Sequence, residues 1–176
     1  MIAVAITGHS KGLGKVLFDK YVKQGQRVEG FSRSNQYDLQ VPYVRSEVVK
    51  KIQTFDVVIN NAPGIFQRDL FAELLSTKFA GVIVNVSSFA SRFGPSQSIL
   101  YTSDKAALDS LTYSHQHFGP RWPAALLVRP SYFTGERSAN KPGRHVDVSY
   151  VADKIIDAAE LALNDIMRLN EFTIVA

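Results

Sequence analysis

An apolar run, Ile2-Ala3-Val4-Ala5-Ile6, passes directly into Thr7-Gly8-His9-Ser10-Lys11-Gly12-Leu13-Gly14. Beyond the glycines, apolar residues recur at Leu13, Val16, Leu17 and Tyr21, which is one face of a helix. Strand, glycine-rich turn and helix in that order constrain the chain strongly. Glycine lets the backbone turn tightly and come close to a pyrophosphate, and the helix start offers free N–H groups and a favourable dipole. A glycine-rich turn without a ligand is the competing account, and three glycines at this spacing in this context weigh against it.

The rest of the chain repeats the alternation of short apolar runs with helical periodicity. Val28–Ser32, Asp56–Ile59, Val82–Val86, Ala124–Val128 and Phe172–Val175 read as strands, with a short extra strand around Tyr37–Leu39. Helices are expected over Val44–Ile52, Phe66–Phe79, Ser103 to about His117, and Val148–Leu163. Gly135–Val146 is polar and reads as a mobile surface loop. This order predicts an α/β fold, a Rossmann-like doubly wound parallel sheet with helices on both faces. At 176 residues the whole chain, 1–176, suits a single domain.

At the end of the second strand a carboxylate would bind the free ribose 2′-hydroxyl of NAD, whereas a 2′-phosphate needs positive charge. The sequence there is Phe31-Ser32-Arg33-Ser34, with no acid, and Lys11 in the glycine loop can reach toward the same phosphate. Either basic residue alone fits a solvated surface equally well. Together, with Ser32 in place of an acid, they favour NADP(H) over NAD.

Further along, Ser88 is followed by Tyr101 and, four residues later, Lys105. Four-residue spacing places tyrosine and lysine on one helix face. A nearby ammonium stabilises a phenolate, so the tyrosine can exchange a proton with a carbonyl oxygen near neutral pH. Ser88 can hydrogen-bond the same oxygen. Such a pair alone equally fits a core tyrosine beside a surface lysine.

In this order and spacing, the glycine loop, Asn60-Asn61-Ala62, Asn85-Val86-Ser87-Ser88 and Tyr101-Thr102-Ser103-Asp104-Lys105 resemble the short-chain dehydrogenase/reductase family over nearly the whole chain. The resemblance implies an NADP(H)-dependent oxidoreductase that moves hydride between the nicotinamide and a small-molecule carbonyl or alcohol. Gly8, Gly12 and Gly14 match the cofactor loop, and Ser10, Lys11 and Leu13 lie within it. Arg33, beside Ser32, matches the basic residue of NADP-preferring members, and Asp38-Leu39 resembles the pair that touches adenine. Asn60, Asn61 and Ala62 match the segment beside the adenosine ribose. Ser88, Tyr101 and Lys105 match the catalytic serine, tyrosine and lysine, with Lys105 also expected at the nicotinamide ribose. Pro130-Ser131-Tyr132-Phe133-Thr134 looks like the segment whose backbone at Phe133 and hydroxyl at Thr134 contact the carboxamide and phosphates.

The chain departs from the pattern in several places. Pro63 and Ser131 stand where glycines are usual, and Thr134 falls one residue early. The crossover between Asn61 and Asn85 has room for one helix and contains no asparagine, whereas the family carries a fourth catalytic residue, an asparagine, there. That shortening favours an alternative: a protein that binds NADP(H) as a sensor or interaction module without turnover. The helix from Tyr101 to His117 could pair across a two-fold axis as a homodimer.

Other classes are disfavoured. The net charge is +4, yet the basic residues are scattered without interleaved aromatics, so no nucleic-acid partner is expected. No apolar stretch approaches a membrane span, and the first strand is too short for a secretory signal. There is no cysteine, and the four histidines show no metal-ligand spacing, so no metal is expected. These features fit a cytoplasmic protein.

Overall fold

The computed structural model describes residues 1–93, 98–134, 145–164 and 170–175, with the side chain at 93 left aside. The elements run β1 (Ala3–Thr7), α1 (Gly12–Lys23), β2 (Arg27–Phe31), a 3-10 turn (Arg33–Asn35), α2 (Pro42–Ile52), β3 (Val57–Asn60), α3 (Phe66–Leu75) and β4 (Val82–Val86). There follow α4 (Ala90–Phe93), α5 (Ile99–Phe118), β5 (Ala124–Pro130), α6 (Val148–Leu163) and β6 (Glu171–Ile174). The six strands form one sheet in the order β2-β1-β3-β4-β5-β6, every pair parallel.

A parallel sheet with both faces covered needs apolar residues on both sides of each strand. β1, β3 and β4 are accordingly buried at every position. One face packs Val4, Ile6, Val57, Val84 and Val128 against α1 and α6. The other packs Ala5, Phe31, Val58 and Ile83 against Val48 of α2, Phe71 of α3 and Leu108 of α5. Local signals place the helix ends: Pro42 opens α2, Ser98 accepts from the Tyr101 N–H at the start of α5, and Asp147 accepts from Ser149 and Tyr150 at the start of α6. The sheet reverses its direction of growth between β1 and β3, and a crevice opens at their carboxyl ends. Ligands bind at such a switch point.

Three expectations need correction. No strand forms around Tyr37–Leu39; Gln36 adopts a left-handed conformation (φ 72°), Tyr37 packs edge-on against Phe31 at 5.0 Å, and Leu39 turns into the core. Asn35 Nδ2 donates to the Gly30 carbonyl (2.7 Å), so this segment is tied to β2 by a side chain instead of a ladder. The helix expected over Phe66–Phe79 ends at Leu75, because the Thr77 hydroxyl donates back to the Leu74 carbonyl (2.7 Å) and Phe79 folds into the core. The α5 helix begins at Ile99, a turn earlier than expected. Most of the expected loop, residues 135–144, lies outside the described residues, whereas Val146 is buried and bridges to Phe133.

Leu70 of α3 is fully buried between sheet and helices, whereas Tyr43 of α2 is 70% exposed. Leu70→Ala is expected to lower unfolding free energy by about 2–5 kcal/mol and Tyr43→Ala by less than about 0.5 kcal/mol in urea titrations.

Candidate dinucleotide and catalytic site

The glycine loop closes on itself at van der Waals limits. A Cβ built on Gly14 would lie 2.3 Å from the Gly8 carbonyl oxygen and 2.7 Å from Asn61 Nδ2, so only glycine fits without displacing backbone. Gly8 has φ 68° and donates its N–H to the Phe31 carbonyl at 2.8 Å. The buried Thr7 hydroxyl accepts from the backbone N–H groups of Asn61 (2.9 Å) and Ala62 (3.0 Å). Asn61 Nδ2 donates to the Thr7 carbonyl at 3.1 Å. The ends of β1 and β3 and the first turn of α1 are thereby locked into one unit.

What remains open is the outer side of that unit. A Cβ on Gly12 (φ 52°) would meet nothing within 4 Å, and α1 starts there with no side-chain cap and no acid in its first turn. Its first N–H groups and dipole are therefore left to an anion. Ser10, Lys11 and Gly12 are exposed, while Leu13 and Gly14 are buried beneath them. The residues fit a dinucleotide pyrophosphate: a close-packed floor, open space above it, and unopposed donors.

Toward the β2 side, Ser32 is buried, with its hydroxyl 2.7 Å from that of Ser34 and its N–H donating to Asn35 Oδ1 at 2.9 Å. Ser32 thus organises the turn that carries Arg33, which is exposed and without an ion pair among the described residues. Asp38 is half-buried and accepts from the Gln40 N–H at 3.1 Å; Leu39 is buried. Beside Ala62, a groove of about 390 Å³ runs between Gln40 and Arg45 on one side and Pro63, Gly64 and Asp104 on the other. His9 lays its ring over Gly30, where a Cβ would approach it to 2.1 Å, and burial lowers its pKa.

Tyr101 and Lys105 lie one turn apart on α5, with Lys105 Nζ 5.7 Å from the Tyr101 ring centroid. Tyr101 is half-buried, and Ser88 is half-buried at the end of β4, where its Oγ accepts from the Ala90 N–H at 3.2 Å. Lys105 is 3% exposed. Its ammonium donates to Gln67 Oε1 (2.6 Å) and to the Val86 carbonyl (2.7 Å). Burial drives its pKa down to about 7, against the opposing pull of Asp109 and Asp104.

At the end of β5, the Pro130 carbonyl accepts from the Phe89 N–H (3.0 Å), which ties the segment after β4 to its neighbour. Phe133 pairs with Val146, and the Thr134 hydroxyl accepts from the Val148 N–H (3.1 Å) at the start of α6. Pro130, Phe133 and Thr134 thus stand at the same carboxyl edge as Ser88 and the glycine loop, and Thr134 also serves a structural role.

Several buried polar bonds were not anticipated, some of them made by motif residues. Asn60 Nδ2 donates to Asn85 Oδ1 (2.8 Å), and Asn85 Nδ2 to the Thr112 hydroxyl (3.0 Å), a buried relay from β3 through β4 to α5. Asp109, one turn beyond Lys105, accepts from the Ser87 hydroxyl, from Ser91 (2.7 Å) and from Arg129 Nε (2.7 Å). Arg129 is fully buried and also donates to Glu171 (2.7 Å) and Tyr113 (2.9 Å). Burial alone would lower its pKa, but its hydrogen bonds to Asp109 and Glu171 hold it above its ordinary value. The four-residue recurrence Tyr101, Lys105, Asp109 was a readable signal for Asp109; Gln67 carried none. A second groove, about 480 Å³, runs along Arg92, Asp109, Tyr113 and His117 and includes none of Ser88, Tyr101 or Lys105.

The Lys105 value has a consequence for stability. Its folded pKa lies below the ordinary 10.5, so between about 7 and 10.5 the unfolded chain binds the proton that the folded chain has released. This group's contribution to stability therefore rises with pH across that window and is least favourable below about 7. Lys105→Met is expected to change Tm more favourably at pH 6 than at pH 9, measured by thermal denaturation. Equal changes at both values would contradict a buried, depressed lysine.

No family model matches the chain, and no curated protein matches its sequence. Its structure is similar to many solved ones. A short-chain dehydrogenase from Burkholderia cenocepacia in complex with NADP superimposes with a TM-score of 0.77 at 19% identity, covering 99% of this chain and 88% of that one. The 3-alpha-hydroxysteroid dehydrogenase of a Pseudomonas species, complexed with NADH, gives 0.75 at 17% identity over 98% and 94%. A bulky-bulky ketone specific alcohol dehydrogenase from Comamonas testosteroni gives 0.77 at 19% identity over 98% and 86%. Among the described residues no helix is long and apolar enough to cross a membrane. With its glycine crossing, its switch-point crevice and its parallel six-stranded sheet, this chain has the fold of the short-chain dehydrogenases/reductases.

Proposed function

We propose that this chain is a compact short-chain dehydrogenase/reductase, an NADP(H)-dependent oxidoreductase acting on a carbonyl or the matching alcohol. The observation that carries the reading is the packing of a buried lysine ammonium one helical turn from a half-buried tyrosine, with Ser88 two residues beyond the Val86 carbonyl that the lysine binds. A binding module has no physical need for that tyrosine or for its one-turn spacing from a buried lysine, whose burial costs stability even when hydrogen-bonded. Neighbouring structures holding NADP or NADH support a nicotinamide cofactor.

Gly8, Ser10, Lys11, Gly12, Leu13 and Gly14 would hold the pyrophosphate, and Ser32 and Arg33 the 2′-phosphate end. Asp38, Leu39, Asn61 and Ala62 would flank the adenosine. Pro130, Phe133 and Thr134 would border the nicotinamide. When bound, the nicotinamide supplies or accepts the hydride. The Tyr101 hydroxyl gives its proton to the substrate carbonyl oxygen, or takes it from the alcohol. The Ser88 hydroxyl donates to the same oxygen and stabilises its developing negative charge. Lys105 holds its ammonium beside Tyr101, 5.7 Å from the ring centroid. Assembly as a homodimer along α5 belongs to the same reading, since Leu100 (77%) and Phe118 (91%) leave apolar surface exposed on that helix.

The shortened crossover, with α3 as its single helix, favours a second reading, an NADP(H) sensor without turnover. NADPH oxidation across aldehydes, ketones, quinones and oxoacyl thioesters separates the two. The enzyme reading expects turnover that falls about 10²–10⁴-fold in Tyr101→Phe with NADPH binding retained. Activity that survives the substitution defeats the mechanism, and tight binding without turnover on any substrate favours the sensor. Arg33→Ala is expected to weaken NADPH binding about tenfold or more and leave NADH binding little changed, as read by fluorescence titration.

A further inference from the structure

Gln67 is 1% exposed and lies in α3, yet its side chain reaches no solvent and no apolar pocket. Its Nε2 donates to the Asn60 carbonyl and to the Val86 carbonyl (2.9 Å), the ends of β3 and β4. Two carbonyl partners determine which end of the amide is nitrogen, since a carbonyl can only accept. The remaining atom, Oε1, therefore faces Lys105 Nζ at 2.6 Å. Asn60 Nδ2 also donates to the Gln67 carbonyl (2.9 Å), so the backbone of this residue is pinned as well.

An ammonium has three N–H donors. In Lys105 one goes to Gln67 and one to the Val86 carbonyl, both buried. With two directions taken, the third is determined. We infer that Gln67 is the positioning residue of the site: it fixes where the Lys105 ammonium sits beside Tyr101 and helps that ammonium keep its charge. The inference rests on the proposal that Lys105 acts with Tyr101. A glutamate could not replace this amide simply, because its second oxygen would face two carbonyl oxygens.

The charged neighbours of Lys105 are accounted for. Asp104 and Asp109 on its own helix favour its protonation. Asp109 is itself paired with Arg129 of β5. From α3 comes the neutral Gln67, from β4 the Val86 carbonyl, and from α5 the Tyr101 ring. Gln67 thus supplies one of the ammonium's two direct acceptors, and burial works against the charge.

The test uses the whole chain labelled with ¹³C,¹⁵N-lysine, with the Lys105 signal assigned by its loss in Lys105→Met. Its titration midpoint in the wild type is expected near about 7. In Gln67→Met, of similar length and without an acceptor, the midpoint is expected to fall by about one pH unit. If the chain turns over, the alkaline fall in NADPH oxidation shifts the same way, with kcat at pH 7 reduced about fivefold and KM for NADPH changed by less than about threefold. A glutamine that merely braces the sheet would lower Tm and leave the Lys105 midpoint unchanged, and that result overturns the inference. Should Gln67→Met fail to fold, the wild-type ammonium decides: held by two buried acceptors it gives a resolved ¹⁵Nζ–H signal at pH 6. Exchange as fast as that of surface lysines overturns the inference. A shifted midpoint in a protein that oxidises NADPH with no carbonyl would uphold Gln67 and sink the reductase reading.

Discussion

The contact between Gly14 and the Gly8 carbonyl is the constraint on which the site depends. With 2.3 Å available where a Cβ would stand, the first turn of α1 can tuck under the end of β1 only because position 14 has no side chain. That approach brings Asn61 alongside, and Asn61, Thr7 and Ala62 then bond the end of β3 to the end of β1. Both edges of the crevice, the open donors of α1 and the platform beyond β3, follow from this one crossing.

A second layer of order comes from polar groups buried in pairs. Burying a charge or an amide is costly unless its donors and acceptors find partners. Asn60, Asn85 and Thr112 link β3, β4 and α5, while Ser87, Asp109, Arg129 and Glu171 link β4, α5, β5 and β6, and among the buried side-chain atoms of these two networks Asn60 Oδ1 alone has no partner. These bonds fix the rotation of α5 about its axis, and that rotation presents Tyr101 and Lys105 to the crevice. Apolar packing alone would leave the helix freer to slide, since hydrophobic contact is not directional.

How much of this was legible in the residues depends on the range of the interactions. Val82–Val86 and Val148–Leu163 could be read to the residue because continuous apolar runs and 3.6-residue periodicity are local signals. The close crossing of the glycine loop and the one-turn spacing of Tyr101 and Lys105 on α5 were legible because a single turn or helix carries that geometry. The strand expected at Tyr37–Leu39 failed because Gln36 takes a left-handed turn and Asn35 bonds the Gly30 carbonyl, neither of which alternation of residue types reveals. The end of α3 was missed because one threonine hydroxyl, at Thr77, competes with the helix. Gln67 was invisible for a different reason: its partners are 38 and 19 residues away, and only the assembled sheet brings Lys105 and Val86 to it.

On the proposed reading, the Gly8–Gly14 crossing builds a cradle for the cofactor's pyrophosphate. Calorimetric titration of NADPH into the wild-type chain and into Gly14→Ala tests it most directly, with circular dichroism confirming that both are folded. Saturable binding to the wild type and a loss of about tenfold or more in the variant are expected, because the added Cβ must push apart the floor on which the pyrophosphate would rest. Equal NADPH affinity in the two proteins, or none in the wild type, would contradict it.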